Sequence, residues 1–201
     1  MGTRGFITFA ADGEQKTAYN HRDSYPGGLG LDVLKWLRAA AESPVRLGEQ
    51  VRALRVVDPG SAPTADDISR FRQFAWTRAQ HGGDSDLRAG QQWYDLLHET
   101  QGNPAVILEA GIIEDASGFP ADSLIAEWGY VIDLDGDGMF EVYEGFQSSP
   151  HGKGRFAAMK LRAYGTVGQY YPVALVAKWP LADLPDDAAF IAATEPDEDE
   201  S

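Results

Sequence analysis

The hydrophobic pattern of the chain begins with a two-residue alternation. Residues 6–10 alternate between two faces, which is the period of a β-strand, and Asp12-Gly13 is a dipeptide that favours a hairpin turn. Residues 16–20 supply a partner strand. The chain therefore predicts a β-hairpin close to residue 1.

Helical spacing replaces this alternation from residue 31. Val33, Leu34 and Leu37 recur every three to four positions, and Asp32 lies in the first turn, where the helix dipole favours an acid. Ser43-Pro44 ends this predicted helix.

Four further helices follow from the same periodicity and from capping residues. Thr64 and Asp67 form a capping pair ahead of the first of them. The predicted helices cover residues 65–80, 93–101, 104–110 and 185–193.

The strongest β-pattern lies in the second half of the chain. Residues 125–133 and 139–146 are rich in β-branched and aromatic side chains, and the turn Asp135-Gly-Asp-Gly138 joins them. Residues 170–179 predict another strand, whereas residues 51–57 and 158–164 predict strands more weakly. We expect the hairpin from Trp128 to Phe146 to form the central part of the sheet.

Hairpins separated by helical blocks, without regular βαβ alternation, indicate an α+β fold. We expect a mainly antiparallel sheet with three to five helices packed on it. Residues 1–194 form the single predicted domain. Residues 195–201 are an acidic segment with no apolar side chain to bury, so we expect a disordered tail.

The composition narrows the classes of function. The 201 residues carry a net charge of −14, which argues against nucleic acid as a direct ligand because phosphate binding needs positive charge. The chain has no cysteine, which excludes disulfides and thiolate metal sites and fits a cytoplasmic protein. No apolar run has the length of a membrane span, so we expect no membrane partner.

The charge is unevenly distributed along the chain. Residues 89–152 contain 12 acids and no Lys or Arg, and residues 153–182 contain five bases and no acid. Opposite charges in such blocks favour packing side by side. We therefore expect these two stretches to be neighbours in the fold.

A run of polar side chains is the strongest candidate for a site. Seven hydrogen-bonding residues follow one another: Tyr19, Asn20, His21, Arg22, Asp23, Ser24 and Tyr25. If the strand continues, His21 and Asp23 share one face, and the carboxylate can orient the imidazole as a general acid or base. Arg4, Asn20 and Tyr25 are then candidates for substrate binding.

The alternative interpretation of this run is structural. The same side chains can brace the turn at Pro26 and cap the helix that begins near Leu31. Under that interpretation they bind no ligand.

The turn of the later hairpin also matches a calcium-binding loop. The carboxylates that would hold calcium are Asp133, Asp135, Asp137, Glu141 and Glu144. Strands flank this turn where an EF-hand has helices, and Asp-Gly is itself a favoured hairpin dipeptide. The alternative is therefore an acidic turn without an ion, and no other cofactor is indicated.

Three stretches carry a resemblance to a known family. They are Met1-Gly-Thr-Arg-Gly5 with residues 19–30, Trp128-Gly-Tyr-Val-Ile-Asp-Leu-Asp135 with Phe140-Glu-Val-Tyr143, and Tyr171-Pro-Val173. Together they resemble an uncharacterised family of bacterial and phage proteins. The resemblance implies one domain in a cytoplasmic setting and transfers no catalytic residue.

Two hypotheses of function follow. The first is a small-ligand-binding protein or a hydrolase or transferase, in which His21 and Asp23 act on a small polar ligand. The second is an acidic interaction module that binds a basic protein or mimics nucleic acid, without catalysis. Both remain open at this point, and the sequence does not indicate an oligomeric state.

Overall fold

The predicted N-terminal hairpin is present as β1 (Gly5–Ala11) and β2 (Glu14–Asn20). The computed structural model in which it is seen describes residues 2–75, 92–160 and 170–195. Asp12 and Gly13 form the turn with φ values of 55° and 77°, the left-handed region in which Asp and Gly are both tolerated.

Five further strands are described. They are β3 (Arg55–Val57), β4 (Ile112–Glu114), β5 (Trp128–Asp133), β6 (Met139–Glu144) and β7 (Ala174–Pro180). The main sheet has the order β2-β1-β5-β6-β7, in which only the β1–β5 pair is parallel. This arrangement confirms an α+β fold with a mainly antiparallel sheet, and it places the β5–β6 hairpin at the centre as predicted.

Six α-helices are found in the described part of the chain, one more than the upper end of the predicted range. They are α1 (Leu31–Ala40), α2 (Pro44–Ala53), α3 (Ala65–Phe71), α4 (Trp93–Leu96), α5 (Pro104–Ala110) and α6 (Asp187–Thr194). A π-helical turn, Pro26–Gly30, precedes α1. The predicted capping box of Thr64 and Asp67 is present at the start of α3.

The strand predicted over residues 51–57 is wrong in its first half. Residues up to Ala53 belong to α2, and only Arg55–Val57 form a strand, which pairs in parallel with β4 in a separate two-stranded sheet. Leu47 and Val51 are buried at helical spacing against the core, so the helical face outweighs the local β-propensity of valine.

Other predicted boundaries shift by several residues. The helix predicted over residues 65–80 ends at Phe71 and is followed by a 3₁₀ turn to Phe74, while residues 76–80 lie outside the described residues. β5 begins three residues later than predicted and β7 four residues later. Residues 158–160 form no strand; residues 161–164 and the predicted tail from 196 onward lie outside the described residues.

Both faces of the main sheet are covered. On one face the strands meet α1, α2 and α6 in a core that includes Phe9, Leu34, Tyr130, Phe140, Val142 and Phe190. The opposite face packs a smaller cluster that includes Phe6, Val131, Tyr143, Phe156 and Val173. Glycine suits position 129, because a Cβ there would overlap the buried Phe6 ring.

The acidic and basic stretches are neighbours, as their charges predict. Arg155 binds Asp133 at 2.5 Å and Glu141 at 2.9 Å, and all three side chains are largely buried. Strand β7, from the basic stretch, pairs with β6 from the acidic one. In the described residues, no helix has both the length and the apolar composition needed to cross a bilayer.

Candidate functional site

The polar run at residues 19–25 does not continue as a strand. β2 ends at Asn20, and Asp23 has a φ of 52°, in the left-handed region. The expectation that His21 and Asp23 share one strand face is therefore wrong. Within the described residues no hydrogen bond or ion pair joins the two side chains.

Most of the run braces the turn. The Asn20 side chain is buried, and its Nδ2 donates to the Arg22 carbonyl and to the Ser24 hydroxyl. The Ser24 carbonyl accepts a hydrogen bond of 2.8 Å from the Tyr130 hydroxyl, and the Asp23 carbonyl accepts one from the Leu29 amide. The bracing of the turn is expected from the structural interpretation of the run. The capping that it also predicts is not found, because neither the turn from Pro26 nor helix α1 has a side-chain cap.

The remaining predicted binding residues do not converge. Arg4 pairs with Glu127, with its Nε 3.7 Å from Oε1, and its backbone amide donates to the same oxygen. Tyr25 is 43% exposed and lies against Gly28. His21 Nδ1 forms a hydrogen bond of 2.8 Å with Gln101 Oε1, and the imidazole packs on the His98 ring at 4.8 Å between centroids.

The five carboxylates of the predicted calcium loop are also not brought together. Asp135 accepts hydrogen bonds from the Asp12 and Gly13 amides, one with each carboxylate oxygen, and Asp133 and Glu141 bind Arg155. Among the described residues there is no group of three or more His, Asp or Glu placed to hold a metal ion. Asp137 and Glu144 are not tied to these contacts.

A cleft of about 460 Å³ lies next to the polar run, between the outer edge of β2 and β4. β2, α4, β4 and the segments that follow α4 and β4 supply its walls. Its lining includes Tyr19, Tyr94, Gln101, Glu114, Asp115 and Phe119. Tyr19 belongs to the run itself, and Gln101 is the hydrogen-bond partner of His21. The run therefore contributes one lining residue of the cleft and positions another.

Three aromatic rings form one wall of the cleft. Tyr19 lies at the centre of this wall, with Phe119 edge-on at 5.1 Å and Tyr94 at 6.4 Å between ring centroids. Burial and the neighbouring Tyr94 raise the pKa of Tyr19, so its hydroxyl is neutral at physiological pH. The wall therefore offers uncharged π-faces and phenol groups.

Glu114, the last residue of β4, is an acidic residue in the lining of the cleft. Its carboxylate is half-buried, and within the described residues it makes no hydrogen bond or ion pair. Burial, and then the nearby Asp95 carboxylate, raise the pKa of Glu114. A half-buried acid without a countercharge in an aromatic cleft is electrostatically unbalanced, and a cation would restore the balance.

Sequence reasoning missed most of this cleft. β4 is three residues long and pairs with β3, so neither strand has enough residues to show an alternation. Glu114 and Asp115 stand in the acidic stretch, but nothing in the sequence distinguishes them from its other acids. Only the fold brings them into the same cleft as Tyr19.

No protein-family model, curated protein or solved structure matches this chain. The resemblance carried by residues 1–5, 19–30, 128–135, 140–143 and 171–173 therefore stays a prediction.

Proposed function

We propose that this protein binds a small organic cation, an ammonium or guanidinium compound, in the cleft between β2 and β4. The observation that carries the proposal is Glu114, a half-buried carboxylate that has no partner among the described residues and lines the same cleft as the aromatic wall. Among the described lining residues none is Lys or Arg, so no positive charge of the wall competes for that carboxylate.

The chemistry of the wall suits a cation with an apolar body. Tyrosine and phenylalanine faces attract cations through their quadrupoles, and they also remove apolar surface from water. Asp115, exposed at the mouth of the cleft, adds a second negative charge. The cleft volume of about 460 Å³ lies within the range of small-molecule sites, which is about 300–1,000 Å³.

The chain contains an internal example of the same recognition. The guanidinium of Arg55 lies 5.4 Å from the Trp93 ring centroid and 5.9 Å from that of Phe71, and its Nη2 pairs with Asp67. That arrangement combines aromatic rings with one carboxylate around a guanidinium. The cleft offers the same two groups, and none of its described lining residues supplies a cation.

The proposal is for binding rather than for hydrolysis or group transfer. The catalytic hypothesis rested on a His21–Asp23 pair on one strand face, and the chain is not a strand at these two residues. His21 instead positions Gln101 in the wall of the cleft. A cytoplasmic location belongs to the same proposal and is supported by the cysteine-free sequence.

Calorimetric titration tests the proposal with agmatine, a guanidinium probe, and tetramethylammonium, a quaternary ammonium probe. We expect at least one of them to bind, and acetate and a neutral alcohol of similar size to give no heat. Glu114→Gln removes the charge with little change in shape, and we expect it to weaken binding by about tenfold or more.

Glu49→Gln is the matched control for this titration. Glu49 is exposed on α2 and lies beside the β5–β6 turn, at the other end of the sheet. It makes the same change in net charge, so binding should stay within about twofold of the parent protein. Equal weakening by both variants, or no binding of either cation, would contradict the proposal.

A further inference from the structure

We infer that the cation recognised in the cleft is an arginine side chain of a basic peptide segment, so that the cleft is a docking site for a basic partner protein. This inference rests on the proposed function and names its ligand. It is carried by charge complementarity around the cleft, in addition to the chemistry inside it.

Three acidic residues lie in or next to the lining of the cleft, and we call Asp58, Asp95 and Asp115 the acidic rim. Asp58 is exposed and precedes Pro59, which lines the cleft. Asp95 follows the lining residue Tyr94 and is close enough to Glu114 to raise its pKa. A free cation would fill only the interior, whereas a chain carrying several positive charges would also meet the rim.

Two arginines of the described residues near the cleft are already paired. Arg4, whose charge reaches Tyr19, binds Glu127, and Arg55 binds Asp67. In the described residues these intramolecular pairs leave the carboxylates of Glu114 and the rim without a basic partner. The part of the chain that supplies most of the cleft, residues 89–152, contains 12 acids and no Lys or Arg.

The shape of the cleft favours arginine over lysine as the anchor. A planar guanidinium can stack on a tyrosine face while its N–H groups bind a carboxylate in a fork. Tyr19 and Glu114 both line the cleft and provide these two surfaces. Tyr94 is 38% exposed at the mouth, where it can contact the peptide backbone on either side of the anchor.

The test compares agmatine with a capped peptide in which one Arg stands between Gly and Lys residues. Two altered peptides separate the contributions: one has citrulline in place of Arg, and the other has Gln in place of each Lys. We expect the parent peptide to bind about tenfold more tightly than agmatine at low ionic strength. The peptide with citrulline should lose most of the affinity of the parent peptide. The peptide with Gln should bind about as tightly as agmatine.

A rim variant, D58N, isolates the docking surface from the interior of the cleft, because Asp58 is not among the lining residues and does not contribute to the pKa shift of Glu114. It should weaken the peptide by about threefold or more and leave agmatine within about twofold. E49Q is its matched control, since it removes one exposed acid remote from the cleft, and we expect it to leave both affinities nearly unchanged. Glu114→Gln should weaken both ligands.

The outcomes distinguish this inference from the proposed function. If agmatine binds but the peptide binds no more tightly, or if the rim variant behaves like its control, the docking inference is overturned and small-cation binding stands. If the peptide binds but Glu114→Gln does not weaken it, the peptide lies elsewhere and the inference is again overturned. If neither ligand binds, both proposals fail.

Discussion

Single residues in this chain show that burial and pairing determine whether a polar side chain stabilises the fold or is available to bind a ligand. Asn20 is buried and hydrogen-bonded to Arg22 and Ser24, so its polar groups are satisfied within the turn. Glu114 is half-buried and unpaired in the described residues, so its charge costs stability unless something binds to it. Asn20 therefore stabilises the fold, whereas Glu114 is available to bind a ligand, although both are polar residues at the ends of strands.

The unpaired charge of Glu114 predicts a stability effect that is opposite to its effect on binding. Its pKa is raised in the fold, so its favourable contribution to stability exists at low pH and is lost as pH rises through the raised pKa. Near neutral pH the ionised carboxylate opposes folding. We expect Glu114→Gln to be more stable there, by less than about 1 kcal/mol, because the group is only half-buried.

Thermal melts of the parent protein and of Glu114→Gln across the acid-to-neutral range check this prediction. The two midpoints should converge below about pH 4, where the glutamate is protonated in both the folded and the unfolded chain. Glu49→Gln should show no such pH-dependent gap, because Glu49 is exposed. A Glu114→Gln protein that is less stable near neutral pH would mean that the carboxylate has a stabilising partner.

Secondary-structure elements differ in how far the sequence determines them. The hairpins β1–β2 and β5–β6 could be predicted because each has a period-two pattern interrupted by an Asp-Gly turn. Helix α5 could be predicted to the residue, since Asn103 and Pro104 mark its beginning and Gly111 its end. The pair β3–β4 could not, because its pairing joins residues about sixty positions apart and depends on the tertiary fold.

The same limitation separates the predicted site from the observed cleft. The polar run at residues 19–25 could be found because its residues are consecutive, and Tyr19 does line the cleft. Tyr94, Glu114 and Phe119 reach it from three other segments. No local sequence pattern predicts that these residues come together, because their proximity depends on how β4 packs against the edge of β2.

The β5–β6 turn provides a prediction about calcium at the scale of one element. Asp135 binds the amides of the β1–β2 turn, while Asp133 and Glu141 neutralise Arg155. These contacts satisfy the acids that would otherwise need a divalent cation. We expect the midpoint of a thermal melt to be the same with millimolar calcium and with a chelator, and calorimetric titration to give no heat.

A calcium-dependent rise in the midpoint of the thermal melt would contradict this prediction for the turn. If that rise disappears in Asp137→Asn, the loop rearranges to bind the ion. Asp137 is the suitable position because it is exposed and takes part in none of these contacts. Its amide replacement therefore leaves the existing network of the turn intact.

At the scale of the whole molecule, the five-stranded sheet has a hydrophobic core on each face. Val142 lies in the central hairpin and is 0% exposed, packed in the core that also contains Leu34, Tyr130 and Phe190. That core joins β1, β5 and β6 to α1, α2 and α6. A substitution that disrupts the packing of Val142 should therefore destabilise all of these elements. We expect the described fold to be lost as a unit rather than strand by strand.

Val142→Asp tests this interdependence. The new carboxylate would be buried without a partner among aliphatic and aromatic side chains, and we expect a loss of about 3–5 kcal/mol in the free energy of unfolding. Val176→Asp on β7 is the matched control, since Val176 is 37% exposed and should tolerate a charge at a cost below about 1 kcal/mol. Urea titrations followed by both circular dichroism and tryptophan fluorescence give the two values. Near-parent stability of Val142→Asp would show that β6 does not bury this position, and non-coincident transitions would show that the two cores unfold independently.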